Sequence, residues 1–333
     1  MKKNVKDLVI CALCLVFGLS AFLLTGCGEL EKKPRFTVAF VQNGEAKAEI
    51  TVEEGKKVSE TDIVKPASEG EGYVTEWNYD FDEPVTADKT VNTTHYTKGL
   101  EISKSLTGKN YVVSGYDGQS KDVYMPDFYN GGEVTSIKNE AFRNNHTVVS
   151  VRFPAALVSV GVEAFKGCVN LVSVNLPETV TTLGASAFVE CESLVGIVVP
   201  PLVTSIPTRF VQGCKFDFID VHEGVTTIGE FAFACKATRM VLPKSLRRID
   251  GLGLWDELQT IYYKGADYDW DNVIFSEKAQ SIYDGGGNLV REFSVKTIID
   301  RIEAAGDLYF YSEIKPTKSG NFWHYENGEP VIW

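Results

Sequence analysis

The chain has 333 residues, 44% of them hydrophobic, with 45 acidic against 33 basic side chains and a formal charge of −12. That length suffices for two or three domains, and the apolar content excludes a largely disordered chain. The acidic excess repels phosphate backbones and no clustered Lys/Arg stripe offsets it, so nucleic acid is not expected as a partner.

In chain order, Lys2, Lys3 and Lys6 precede an apolar run from Leu8 to Leu24, followed by "TGCGELEKKP". A basic start, an apolar stretch and small residues at its end make an export signal. At about 1.5 Å per residue the run reaches only the low end of a bilayer span. "LLTGC", Leu23 to Cys27, resembles the bacterial lipobox. The resemblance implies cleavage of residues 1–26, a diacylglyceryl group on Cys27 and anchoring to the outer face of a bacterial membrane, where two acyl chains hold stably. A retained membrane anchor and an ordinary secretory cleavage site are the other readings. Cys11, Cys14 and Cys27 belong to this segment, which leaves Cys168, Cys191, Cys214 and Cys235 in the exported part.

Residues 27–34 read as a polar tether. From Arg35 apolar residues alternate, in "FTVAFV" and "AEITVEEGKKV", which predicts half-buried strands. The block 35–98 resembles the internalin-type B repeat, a small β-grasp-like module. The matching residues are Phe36 and Val38, Val52 with Glu54 and Gly55, "EGY" at 71–73, Trp77, and "DFDEPVTADKTV" from Asp80. Asn43-Gly44 departs from the two glycines frequent there, but Asn tolerates the positive φ of a turn. Trp77 reads as core, with a carbohydrate platform as the alternative.

From Lys104 a repeat takes over. Ile137, Val160, Leu183, Ile206, Ile228 and Ile249 recur every 21 to 23 residues, with Phe142, Phe165, Phe188, Phe210, Phe233 and Leu254 in step behind them. Pro154, Pro177, Pro200, His222 and Pro243 form a third column. Three columns in register predict a solenoid, whose coils bury their apolar sides only against each other. "VVSVRFP", "LVSVNLP", "LVGIVVP", "FDFIDVHE", "ATRMVLP" and "LQTIYYK" are the predicted parallel strands. "VTSIKNEAF", "LPETVTTLGASAF" and "VTTIGEFAFAC" resemble the BspA-type leucine-rich repeat, over about 104–265. Residues 266–333 are then a cap and tail, with Asn327-Gly328 as a hairpin turn and "LYFYSE" at 308–313 as a further strand. The expected fold is mainly β: a β-grasp-like module, a parallel-strand solenoid with short helical turns, and a C-terminal hairpin.

Little in the sequence points to chemistry. The four cysteines stack in the repeat and read as small buried hydrophobes, with an inter-coil disulfide or a zinc site as weaker alternatives. The four histidines stand in no metal-ligating motif, and no nucleophile has a base at motif spacing. "DYDWDNVIFSEK" begins like a calcium loop but has Asn272 where glycine and Lys278 where glutamate are required, so it reads as a solvated cap with Trp270 over the last coil. No cofactor is expected. Alternation turns Val174 and Leu176 inward and Ser173 and Asn175 outward. The equivalent outward positions include Val198, Phe218, Asp220, Arg239, Val241 and Tyr262, an apolar strip edged by charge and hence a candidate ligand face. The alternative is that the tail covers it. Together these features predict a lipid-anchored, non-catalytic surface protein that binds a protein or glycan in adhesion. The rivals are a glycan hydrolase with acidic residues in a cleft between solenoid and tail, and a passive spacer.

Overall fold

The computed structural model describes residues 33–68, 70–251, 258–277, 280–283, 289–317 and 320–333. The signal segment, Cys27 and Leu254 lie outside them, as does Lys278.

The first unit is a four-stranded mixed sheet of β1 (Arg35–Gln42), β2 (Glu45–Glu53), β3 (Tyr73–Trp77) and β4 (Lys89–Thr97), in the order β2-β1-β4-β3. Its β-grasp-like centre is the parallel pair β1 and β4, with both outer pairings antiparallel. Asn43 and Gly44 both take positive φ, 54° and 79°, which closes the β1–β2 turn with the twist a hairpin needs. A short 3-10 turn, Glu60–Asp62, lies in the long connection from β2 to β3. Alternation along β1 buries Val38 and Phe40 against Trp77, Tyr79, Val85 and Val91. Trp77 packs edge-on to Phe40 at 5.4 Å and its indole Nε1 donates to the Val64 carbonyl at 3.0 Å, so it is core.

The solenoid coils have three sides. The front strands Asp122–Tyr124, Ser150–Arg152 and Ser173–Val174 pair in parallel, as do Phe218–Asp220, Arg239–Leu242 and Thr260–Tyr263 farther along. The back strands make one ladder from Gly132–Ile137 through Thr182–Leu183 and a second from Ser205–Ile206 to Ile274–Phe275. Both ladders stop at the same coil. "LVGIVVP", expected as a strand, forms none, and Gly196 at its middle has nothing to pack and the lowest strand preference.

Among the described residues the third side runs without a break from Glu140 to Ala234. Backbone N–H groups of Glu163, Phe165 and Gly167 donate to the carbonyls of Ala185, Ala187 and Val189. The same trio recurs one coil on, where Ser186, Phe188 and Glu190 donate to Thr208, Phe210 and Gln212. The geometry depends on left-handed residues: Glu140, Glu163, Ser186, Arg209 and Phe231 all have φ between 53° and 62°, and Asn144, Gly167, Glu190 and Gly213 form a second such column. Alternating the backbone between right- and left-handed turns alternate N–H groups toward the next coil, which is how a non-strand segment obtains a regular ladder. The coils approach so closely that a Cβ on Gly184 would stand 2.3 Å from the Gly161 carbonyl carbon.

Inside, Phe142, Phe165 and Phe188 stack with centroids 4.9 and 5.3 Å apart. One core runs from Tyr96 through every coil to Leu308. At its far end Asp267–Trp270 is a single helical turn, and the buried Trp270 donates its Nε1 to Glu303 at 2.8 Å. Glu303 lies on a helix the sequence reading did not anticipate, Val295–Ala305. Ser294 caps its start and Gly306, at φ 80°, ends it. Val295, Ile298, Ile299 and Ile302 form its buried face, the helical spacing of an amphipathic segment. Strands Leu308–Tyr311, Phe322–Glu326 and Glu329–Ile332 then extend the front sheet beyond Thr260–Tyr263, the last two joined by the Asn327-Gly328 turn.

Candidate functional site

The outward strand residues do point away from the solenoid core, but they meet different surroundings. Val198 is 80% exposed, whereas Val241 is fully buried and Tyr262 only 5% exposed. The tail accounts for the difference. Trp323, itself fully buried, packs on Tyr262 at 5.4 Å and on Tyr311 at 5.2 Å, and its Nε1 donates to the Tyr263 carbonyl at 3.0 Å. Val241, Tyr262 and Trp323 make a separate small core, with Phe218, Tyr309, Tyr311 and Tyr325 packed around it. The expectation of one continuous exposed strip over Phe218, Val241 and Tyr262 is therefore corrected: period-2 alternation says which way a side chain leaves the sheet, and a second layer decides whether it meets water.

Asp220 and Arg239, the charged members of the strip, are engaged at this seam. Asp220 pairs with Lys264 at 2.9 Å and accepts the Tyr325 hydroxyl at 3.1 Å, while the Arg239 guanidinium lies over the Phe218 ring at 5.2 Å. Burial pushes the Tyr325 phenol well above its ordinary range, and the Asp220 carboxylate adds to the shift. Four strand spacings of about 4.8 Å separate the Asp220 and Tyr325 strands in the sheet, roughly 19 Å if flat. The hydroxyl contact requires the sheet to curl over its own outer face.

Nearer the first coil the front remains open. His95 of β4 stacks on Tyr124 at 4.6 Å, and the Arg152 guanidinium, 4.5 Å from the same ring, pairs with Asp127 at 2.7 Å. The module is thereby locked to the solenoid, with Lys104 pairing with Asp80 at 2.6 Å and Thr94 Oγ1 donating to the Phe128 carbonyl at 2.8 Å. Burial opposes ionisation of Asp80, but the Lys104 ammonium and the Asp82 N–H prevail and hold its carboxyl below the usual range. Beyond Arg152 the exposed residues of the front include Val172, Ser173, Asn175, Val195 and Val198.

The four solenoid cysteines are buried free thiols. Cys168, Cys191 and Cys214 donate to the carbonyls of Phe142, Phe165 and Phe188, each one coil back, at 3.1 to 3.2 Å. Burial pushes Cys168 and Cys214 up to about 12, and Cys191 is raised further still. A neutral thiol that spans coils is a structural part with no nucleophile in it. Among the described residues no group of three or more His, Cys, Asp or Glu is placed to hold a metal. No helix there is long and apolar enough to cross a membrane. The left-handed columns were missed at the sequence level because Glu163, Ser186 and Glu190 carry no such signature. Only Asn144, Gly167 and Gly213 hint at them.

A family model described as BspA type leucine rich repeat region matches residues 123–251 in six copies. Comparison with curated proteins finds no match. Among solved structures, a leucine rich repeat protein of T. pallidum is 23% identical with a TM-score of 0.45, over 50% of this chain and 78% of that one. One from Bacteroides ovatus is 28% identical with a TM-score of 0.46, over 50% and 46%. A leucine rich cell surface protein from Faecalibacterium prausnitzii is 22% identical with a TM-score of 0.36, over 66% and 46%, so the alignment covers less than half of each of these last two. Six family repeats fall on the stacked coils described above, and residues 123–251 are a BspA type leucine rich repeat region.

Proposed function

We propose that this is a lipid-anchored, non-catalytic bacterial surface protein that binds a protein or glycan on the open front of its first coils. The observation that carries the reading is the contrast in cover: the tail seals the far coils, while Ser173, Asn175 and the 80% exposed Val198 remain uncovered on the front of the nearer ones. Apolar exposure among polar groups is the usual composition of a recognition surface. The "LLTGC" segment supports anchoring through Cys27 and export to the cell surface. The hydrolase alternative called for acidic residues in a cleft between solenoid and tail, where the structure has packed aromatics and an Asp220 already paired with Lys264.

The test is capture of host proteins and glycans by cells displaying the full chain, compared with Val198→Asp. Loss of the captured ligand in the variant supports the reading. Capture that is unchanged in Val198→Asp and in a paired Ser173→Arg, Asn175→Arg variant removes the strand face from consideration. For the anchor, Cys27→Ala should release the protein to the medium or leave an uncleaved precursor. A variant that stays membrane-bound with an unchanged mature N-terminus contradicts lipidation.

A further inference from the structure

Where the coils pass from their third side into their front strands, a groove of about 520 Å³ runs along the solenoid. Lys121, His146, Val149, Asn170, Val172 and Ser193 line it. They belong to four successive coils, so the groove spans three steps of about 4.8 Å, about 14 Å in all. Val149 and Val172 give it an apolar floor, of which Val172 is the more exposed.

Charge sets this groove apart. In a chain of net charge −12 its lining carries the Lys121 ammonium and no carboxylate. Lys121 makes no ion pair among the described residues, while its backbone carbonyl accepts the N–H groups of Val149 and Ser150. The adjoining carboxylates have partners: Asp122 accepts the Ser150 hydroxyl at 2.5 Å, and Glu192 pairs with Lys215 at 3.1 Å. Salt screens exposed charges beyond about 8 Å, so local groups, and not the net charge, decide which ligand is held.

The polar groups advance with the coils. The His146 ring and the Ser193 hydroxyl make no hydrogen bond among the described residues. Asn170 donates its Nδ2 to the His146 carbonyl at 2.6 Å, which fixes the amide and leaves Oδ1 as an acceptor. Side chains on one face of an extended peptide recur about every 6.8 Å, whereas a 1,4-linked sugar chain advances by roughly one coil step per ring.

We propose that this groove binds an acidic oligosaccharide of 1,4-linked uronates. One carboxylate pairs with Lys121, the C–H faces of the rings lie on Val149 and Val172, and ring hydroxyls meet His146, Asn170 and Ser193. The proposal rests on reading the first coils as a binding surface and gives a ligand class to their rim. Its residues differ from Ser173, Asn175 and Val198, so variants of the two surfaces fail separately.

The experiment titrates the full chain, purified in detergent, with trigalacturonate and with its methyl ester, which keeps the rings and lacks the charge. Binding is read from the ring-proton resonance of His146, one of four histidines, identified by its loss in His146→Gln. Trigalacturonate is expected to bind about fivefold more tightly than the ester, the upper range for one exposed ion pair. Lys121→Met, which keeps the stem and the backbone bonds, should remove that preference without changing the melting temperature. Lys65→Met, which removes the same charge from an exposed position on the module, should preserve it. Equal binding of acid and ester, or a preference that survives Lys121→Met, overturns the proposal. So does acetyl-glutamate methylamide binding as tightly as trigalacturonate, since a carboxylate alone would then be the ligand.

Discussion

Val198 and Val241 hold equivalent outward positions on their coils, yet the first is 80% exposed and the second is fully buried. Both are β-branched, both precede an inward residue and both lie on the same side of one solenoid, although the Val198 coil forms no front strand while Val241 lies in Arg239–Leu242. The difference comes from residues 308–333, which curl the front sheet over Val241 and Tyr262 and leave Val198 bare. A repeat specifies direction relative to its own core. Solvation of the opposite face is a property of whatever lies elsewhere in the chain.

The contrast can be tested most severely at Trp323. Trp323→Ala removes the centre of the second core and should cost about 3–5 kcal/mol in unfolding of the tail region. Urea unfolding should then split into two transitions, with proteolysis releasing the tail before the coils. A single cooperative loss would mean that the far coils depend on their cover in a way the near coils do not.

The thiol column runs beneath both regions and provides a common reference. Because the folded thiols titrate far above the unfolded value of about 8.5, the unfolded chain loses protons first as pH rises. Stability should therefore be level below about pH 8.5 and fall above it, toward about 12, by roughly 1.4 kcal/mol per pH unit for each thiol in that window. Replacing Cys168, Cys191 and Cys214 by Ala should flatten that alkaline slope in chemical denaturation. An unaltered slope would indicate that the tyrosines carry it.

A smaller effect is expected at the clasp. Tyr325→Phe loses one hydrogen bond to a carboxylate that is half-exposed, about 1 kcal/mol, and should speed proteolysis of the tail without changing the coils. The smallest belongs to the open side. Val198→Ser should change stability by no more than about 0.5 kcal/mol, since the side chain is already in water. A larger loss there would show a hidden cover and erase the contrast.

How much of this was legible beforehand depended on whether a residue's environment was made by its own coil. The inward columns, the Asn327-Gly328 turn and the core role of Trp77 were readable because each follows from period, turn chemistry or size. The loss of the strand at "LVGIVVP" had a local sign in Gly196 that the repeat pattern overrode. The Val295–Ala305 helix also had its signs, Ser294 before the first turn and Gly306 after the last, hidden by a reading that looked for strands. The cover over Tyr262 had none. It depends on contacts between positions about 60 residues apart, such as Trp323 with the Tyr263 carbonyl, and no spacing encodes them.

The unbroken third side of the coils bears on how such a molecule can change in length. Each junction there is the same trio of backbone bonds, made by N–H and carbonyl groups that every residue except proline possesses, and set by two left-handed positions. Duplication of one 23-residue unit would therefore find donors and acceptors already in place on both neighbours. The helix and hairpin at the far end would move outward by about 4.8 Å with their own contacts intact. The length of the solenoid is thus a quantity that gene duplication can adjust in fixed steps, leaving the module at one end and the seal at the other unchanged.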